Sequence, residues 1–319
     1  MENNVSVIGC GRWGAFLAWY LDRIGFEVSL YGRPNSPRFE RLLKERGNGL
    51  IELGARIRLT DDLKHALKPD TVIISVNSQG LRALAEEIRR YEPVGKCFAL
   101  CMKGLEIVSG KRLSQVVEET LPGNLTAVWI GPGHVQELYS GAPSCMVIDS
   151  GDAMIKRRLA QAFSSDLIRF YYGNDLIGNE VGAAAKNVIG VAAGMLDGLR
   201  LTSLKGALMS RGAREVSRLI SALGGDGLSA YGLCHLGDYE ATVFSPFSHN
   251  RKFGEAFVGN TPYNELAEGV YTVRALMKLA LQYGVELPIC EAVHNVLFQG
   301  KDARSELNGL FMRSLKQEF

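Results

Sequence analysis

The chain has 319 residues, 46% hydrophobic and 22% charged, with a formal net charge of +2, the composition of a globular protein of about two domains. So small a charge excludes bulk electrostatic attraction to nucleic acid or a membrane surface, and the longest apolar runs, Val5–Leu21 (broken by Arg12) and Val188–Leu199, do not span a bilayer. Cysteines at 10, 97, 101, 145, 234 and 290 have neither disulfide-framework nor zinc-ligand spacing, no metal site is expected, and with no leader pattern at the N-terminus the expected compartment is a reduced cytoplasm.

Short apolar runs alternate with helical periods through the first half. Strands are expected at Val5–Ile8, Glu27–Tyr31, Arg56–Leu59, Thr71–Val76, Lys96–Met102, Leu125–Ile130, Ser144–Asp149 and Leu167–Tyr172. Helices are expected at Arg12–Ile24, Ser36–Arg46, Leu81–Tyr91, Gly110–Thr120 and Ala153–Ser164. This alternation predicts an α/β domain with a Rossmann-like, doubly wound, mostly parallel sheet over residues 1–175. Beyond Gly173 the strand signals stop, and residues 176–319 read as an all-α domain. Its helices are expected at Gly178–Leu199, Ser203–Leu223, Glu265–Gly284, Pro288–Phe298 and Ala303–Gln317, with a polar loop at Ser245–Lys252.

Three features point to chemistry. Gly9-Cys10-Gly11-Arg12-Trp13-Gly14 follows the first strand and opens the first helix. There Gly9 permits a tight turn, Gly11 lets backbone approach a pyrophosphate, Gly14 lets helix pack on strand, and the helix N-terminus offers N–H groups to phosphate. The second strand ends in Gly32-Arg33 instead of the acidic residue that would hold a free ribose 2′-hydroxyl, so NADP(H) is favoured over NAD(H). Further strand ends carry Val76-Asn77-Ser78, Lys103-Gly104-Leu105-Glu106 and Gly131-Pro132-Gly133-His134, where an open sheet places its ligands.

The third feature is Gly178–Leu199, a helix of small and apolar residues with one cation, Lys186, and glycines at 182, 190 and 194 on one stripe. A lysine in such a helix ordinarily snorkels to water. Here a carboxylate at Asp238 and a donor-rich stretch, Ser248-His249-Asn250-Arg251, favour instead a lysine that moves a proton beside an anionic ligand, its pKa lowered by desolvation among Ala183–Ala185 and Val188. The glycine stripe is then expected to face cofactor or substrate.

Together these segments resemble the soluble NAD(P)-dependent glycerol-3-phosphate dehydrogenases over essentially the whole chain. The resemblance rests on the glycine-rich loop, KGLE at 103–106, GPGH at 131–134, the lysine helix, MSRG at 209–212, LGD at 236–238, SHNR at 248–251 and Glu268-Gly269. It implies reduction of dihydroxyacetone phosphate to sn-glycerol 3-phosphate, the backbone of glycerophospholipids, with Lys186 as acid/base and Lys103 and Asp238 as further catalytic residues. It implies substrate contacts from Lys103, Gly131, Gly133, Lys186, Asp238, Ser248, His249, Asn250 and Arg251. Cofactor contacts are implied for Gly9, Gly11, Arg12, Trp13, Gly14, Arg33, Lys103, Val135, His249 and Glu268.

The chain departs from the family pattern at Gly133 (usually Ser or Thr), Val135 (Ala), His249 (Arg) and Ser203 (Asn), and where GLAGLGDL reads GLCHLGDY at 232–239. Loss of a hydroxyl and a guanidinium from the anion site is offset by Arg251, or else signals another phosphorylated ketone or a hydroxy acid. A dehydrogenase of 3-hydroxy acids or of 6-phosphogluconate would carry asparagine four residues after the lysine, where this chain has Gly190. A non-catalytic NADP(H) sensor is the reading from another class. The expected partner is a small molecule, with no nucleic acid and no membrane insertion; a homodimer is left open.

Overall fold

Parallel pairing begins at the N-terminus, where β1 (Asn4–Ile8) lies between β2 (Glu27–Tyr31) and β4 (Thr71–Ile74). The computed structural model describes residues 3–312. With β3 (Arg58–Thr60), β5 (Cys97–Leu100), β6 (Leu125–Ile130), β7 (Ser144–Asp149) and β8 (Ile168–Tyr172), the strands form one eight-stranded sheet in the order β3-β2-β1-β4-β5-β6-β7-β8. All pairs are parallel except β6 with β7, which a five-residue helix links. Order reverses between β1 and β4, and at such a switch point an open sheet leaves a crevice beyond its carboxyl edge. The connecting helices are α1 (Arg12–Arg23), α2 (Pro37–Glu45), α3 (Leu63–Ala66), α4 (Leu81–Arg89), α5 (Leu113–Thr120), α6 (Val135–Tyr139) and α7 (Ala153–Phe163).

The inner strands β4 and β5 are buried at every position, as four-residue apolar runs covered on both faces must be. Apolar sequence overruns the ladder at both: β4 ends at Ile74 rather than Val76, and β5 at Leu100 rather than Met102. The residues just past the last rung still pack inward, Cys101 among them, so hydrophobicity alone does not mark where pairing stops. Likewise β3 lies at Arg58–Thr60, shifted from the expected Arg56–Leu59.

By backbone contacts the chain divides into two units. One runs up to Lys103 and takes in Lys111–Leu176; the other is Gly104–Gly110 with the chain from Ile177 onward. Helices α8 (Leu176–Gly198), α9 (Lys205–Ala222), α10 (His249–Val258), α11 (Glu268–Tyr283), α12 (Pro288–Phe298) and α13 (Ala303–Gly309) build the second unit. The part of the expected last helix beyond 312 lies outside the described residues. Gly284 ends α11 in the left-handed conformation, φ 64°, the usual role of a glycine just past a helix end. Among the described residues, no helix is long and apolar enough to cross a membrane.

The centre of the second unit is α8, buried continuously from Gly178 to Leu196. Val181, Val188, Ile189, Val191, Met195 and Leu196 join its core, each worth about 1.5–3 kcal/mol when fully buried. The glycine stripe, expected to face cofactor or substrate, packs against protein. A Cβ at Gly194 would lie 1.9 Å from the Arg251 carbonyl oxygen of α10, and one at Gly190 would lie 2.8 Å from Thr242 Cγ2. The contact is reciprocal, since a Cβ at Gly254 of α10 would lie 2.1 Å from the Val191 carbonyl oxygen. The stripe is thus a seam that lets two backbones touch. It also accounts for the segment expected as a polar loop: residues 249–252 are the first turn of α10, a helix whose basic start opposes the dipole and whose stability comes from packing on α8.

Gly194→Ala is therefore expected to destabilise the fold by at least about 1–3 kcal/mol through overpacking. Gly206→Ala, on α9 with open space about it, should stabilise by about 0.5–1 kcal/mol. Paired denaturant titrations measure both.

Candidate active site

In the first unit the loop after β1 has the geometry of a phosphate cradle. Gly9 sits at φ 113°, and a Cβ there would fall 2.1 Å from the Ser75 carbonyl oxygen at the end of β4. At Gly14 a Cβ would fall 1.8 Å from the Gly9 carbonyl oxygen, so both positions exclude a side chain. Gly11, the N-cap of α1, differs. Its Cβ direction is open, with Arg38 Nη1 the nearest atom at 3.9 Å. The helix starts with no side-chain cap and no acidic residue in its first turn, leaving its N–H groups and positive dipole end for an anion. These residues fit a dinucleotide pyrophosphate.

Arg12 is exposed at the start of α1, while Trp13 stacks toward Phe16 with centroids 5.1 Å apart. Arg33 stands exposed just after β2. The sequence reading missed Arg38, which α2 brings back over Gly11; its position two residues past a helix-starting serine was the available signal. Arg38 and Arg33 both act electrostatically on Cys10, whose thiol burial pushes up. Across the sheet, Lys103 Nζ donates to the Gly131 carbonyl oxygen at 2.5 Å. Gly131 and Gly133 have φ of 140° and 149°, shaping the turn that sends the chain from β6 back toward β7. Val135 is buried as the first residue of α6, its side chain in the core of this unit.

In the second unit the structure brings Lys186, Asp238 and Thr242 together. Lys186 Nζ lies 2.6 Å from Asp238 Oδ2, with side-chain exposures of 8% and 1%, and donates to Thr242 Oγ1 at 2.8 Å. Losing one member of so buried a pair costs about 3–5 kcal/mol, so the fold holds the ammonium where water would not. Thr242 belongs to a π-helical turn, Glu240–Phe244, that follows the loop bearing Asp238. Wide turns of this kind recur at functional sites, yet nothing in the sequence marked Thr242.

The donor-rich stretch resolves into separate tasks. Ser248 caps α10, its hydroxyl accepting from the Arg251 N–H at 3.3 Å. Asn250 donates to Asn187 Oδ1 at 3.0 Å and accepts from the Gly269 N–H at 2.8 Å, joining α8, α10 and the start of α11. His249 Nδ1 pairs with the Tyr263 hydroxyl at 2.6 Å. Arg251 Nε lies 2.7 Å from Asp197, which Lys205 also binds at 2.7 Å, so its charge is already answered within the unit. Glu268 is the half-buried first residue of α11. Among the described residues, no three His, Cys, Asp or Glu side chains gather as metal ligands do.

A family model described as NAD-dependent glycerol-3-phosphate dehydrogenase N-terminus matches residues 4–156, and its C-terminus counterpart matches residues 175–308. The chain is 35% identical to glycerol-3-phosphate dehydrogenase (NAD(P)+) of Chlorobium limicola, covering 99% of each. It is 37% identical to the enzyme of the same name from Moorella thermoacetica, covering 94% of this chain and 93% of that one. The chain belongs to the NAD-dependent glycerol-3-phosphate dehydrogenase family. In a 2.1 Å crystal structure, glycerol-3-phosphate dehydrogenase from Coxiella burnetii has the same fold, with TM-score 0.91 at 27% identity over 97% of this chain and 99% of that one.

Within this family the departures acquire structural content. At Gly133 the φ of 149° means that the backbone itself, beyond the missing hydroxyl, is shaped for glycine. The stretch GLCHLGDY places His235, where the family pattern has glycine, and Tyr239, where it has leucine, in full burial beside Asp238. Asn250 is expected to carry stability as well as any ligand contact. Asn250→Ala strips the buried Gly269 N–H of its acceptor, and thermal or denaturant unfolding should show a loss of about 1–3 kcal/mol.

Proposed function

We propose that this protein reduces dihydroxyacetone phosphate to sn-glycerol 3-phosphate, reversibly, at the expense of a reduced nicotinamide dinucleotide. Nucleotide binding is assigned to residues 1–175 and substrate chemistry to residues 176–319. The observation that carries the reading is the buried Lys186–Asp238 pair at the middle of α8, in a chain of this family. When bound, the nicotinamide would supply hydride to the ketone carbon. Negative charge then grows on the ketone oxygen, and Lys186 delivers a proton to it. Asp238 favours the protonated amine, Thr242 orients it, and exclusion of water strengthens both interactions. In the oxidative direction the same amine takes the proton back.

For the phosphate, the start of α10 supplies the backbone N–H groups of its first turn behind Ser248, with His249 alongside. Asn250 and Arg251 support that turn through Asn187, Gly269 and Asp197. Lys103, held to Gly131 in the first unit, is assigned to the substrate oxygens. The product is the three-carbon backbone of glycerophospholipids.

NADPH is proposed as the preferred reductant. Support comes from Gly32-Arg33 at the end of β2, where a free ribose diol would call for an acid, and from Arg38 beside Gly11. The family fits either nucleotide, so the two arginines carry this part of the reading.

Two measurements test it. Lys186→Ala should abolish ketone-dependent NADPH oxidation while NADPH binding, followed by fluorescence, persists; wild-type turnover would refute the assignment, and a wild-type protein that binds NADPH without oxidising it in the presence of any phosphorylated ketone would indicate a sensor. For the cofactor, kcat/KM should favour NADPH over NADH. Replacing Arg33 and Arg38 together by alanine should cut that preference by about ten- to a hundred-fold, the worth of charge-assisted hydrogen bonds to a phosphate.

A further inference from the structure

His235 and Tyr239 are fully buried, and neither has a part in the chemistry above. They are bonded to each other, the Tyr239 hydroxyl lying 2.6 Å from His235 Nε2, while His235 Nδ1 lies 2.9 Å from the Gly182 carbonyl oxygen. A carbonyl only accepts, so Nδ1 carries the proton, and Nε2 of the neutral ring accepts from the tyrosine. Burial first, and the nearby Lys186 charge after it, push the imidazole down to about 4, which keeps the ring neutral across the physiological range. The charged groups acting on this pair are Lys186 and Asp238 at His235, and Glu215 at Tyr239.

The ends of this chain of bonds meet the reacting pair. Gly182 stands one helical turn before Lys186 on α8, so its carbonyl is also the helical acceptor for the Lys186 N–H. Asp238 lies between His235 and Tyr239 in sequence, inside the loop that their mutual bond closes. Space for both side chains comes from two glycines: a Cβ at Gly182 would lie 3.1 Å from His235 Cβ, and one at Gly212 would lie 3.0 Å from the Tyr239 hydroxyl. Both residues stand where the family pattern GLAGLGDL has glycine and leucine.

We propose that Tyr239 and His235 form a positioning clamp that ties the Asp238 loop to the turn of α8 carrying Lys186, and so sets the distance between carboxylate and amine. The inference rests on Lys186 as the proton donor. Opening the clamp lets Asp238 drift. The lysine then loses part of the field that keeps it protonated, and its donation to the ketone oxygen falls out of line.

Tyr239→Phe removes only the hydroxyl and His235→Ala removes the whole link, whereas His235→Asn keeps a donor toward Gly182. The first two are expected to lower kcat for dihydroxyacetone phosphate reduction by about ten- to a hundred-fold, as small misplacements of a catalytic group do. NADPH binding should stay within about twofold, and the alkaline limb of the kcat–pH profile should move to lower pH. His235→Asn, which keeps the Gly182 link but loses the Tyr239 bond, should lower kcat as Tyr239→Phe does. Should His235→Ala fail to fold, Tyr239→Phe decides alone. A folded Tyr239→Phe protein with wild-type kcat and an unmoved alkaline limb overturns the clamp. Lys186→Ala run alongside separates the two ideas, since activity surviving there removes the proton donor itself.

Discussion

An ammonium and a carboxylate 2.6 Å apart, both shut away from water, set the terms for the second unit. Dehydrating two charges costs several kcal/mol per ion, and their attraction repays this only if the geometry is held. Holding it takes rigid walls. Helix α8 provides them by touching α10 backbone to backbone through Gly194 and Gly254, with no side chains between that could rearrange. The start of α11 closes in the same way, since a Cβ at Gly269 would lie 2.5 Å from the Asn187 carbonyl oxygen. Glycine in a helix interior costs roughly 1 kcal/mol against alanine; here it is offset by the packing that such close approach permits.

Around that pair, neighbouring charges are neutralised locally. Asp197 takes both Lys205 and Arg251. Glu215, buried and pushed up to about 7, accepts the Ile289 and Cys290 N–H groups at the start of α12. Each arrangement satisfies a helix end or a cation inside the unit, which leaves Lys186 under the control of Asp238 and Thr242. The first unit works under a different constraint. There the backbone has to turn without Cβ atoms at Gly9 and Gly14, so that the start of α1 presents its N–H groups unobstructed beside Gly11.

Much of this was legible in the residues. Strands β2, β6 and β7 and helix α12 match the periodicity to the residue, because their apolar patterns stop where their turns begin. Lys186 and Asp238 were legible as a buried cation and a lone carboxylate, types that seldom enter a core without a task. Other features depended on partners distant in sequence. Thr242 has no local pattern. Arg38 reads as one more charge on a polar helix until α2 folds over Gly11. The 248–252 stretch resembles a solvated loop because its basic residues oppose a helix dipole, and only α8 pressing on Gly254 makes it a helix.

By itself, then, the sequence determined the alternation of strand and helix, the glycine-rich loop and the buried position of Lys186, since those follow from local period, backbone freedom and the price of a buried charge. Tertiary structure alone decided which partner each polar residue near that lysine meets. Asn250 and Arg251 turned out to brace helices, the glycine stripe proved to be a packing seam, and His235 and Tyr239 came to rest against the turn that carries Lys186. The reason is physical: a hydrogen bond or an ion pair is defined by the partner within 3 Å, and these partners lie up to 63 positions away along the chain.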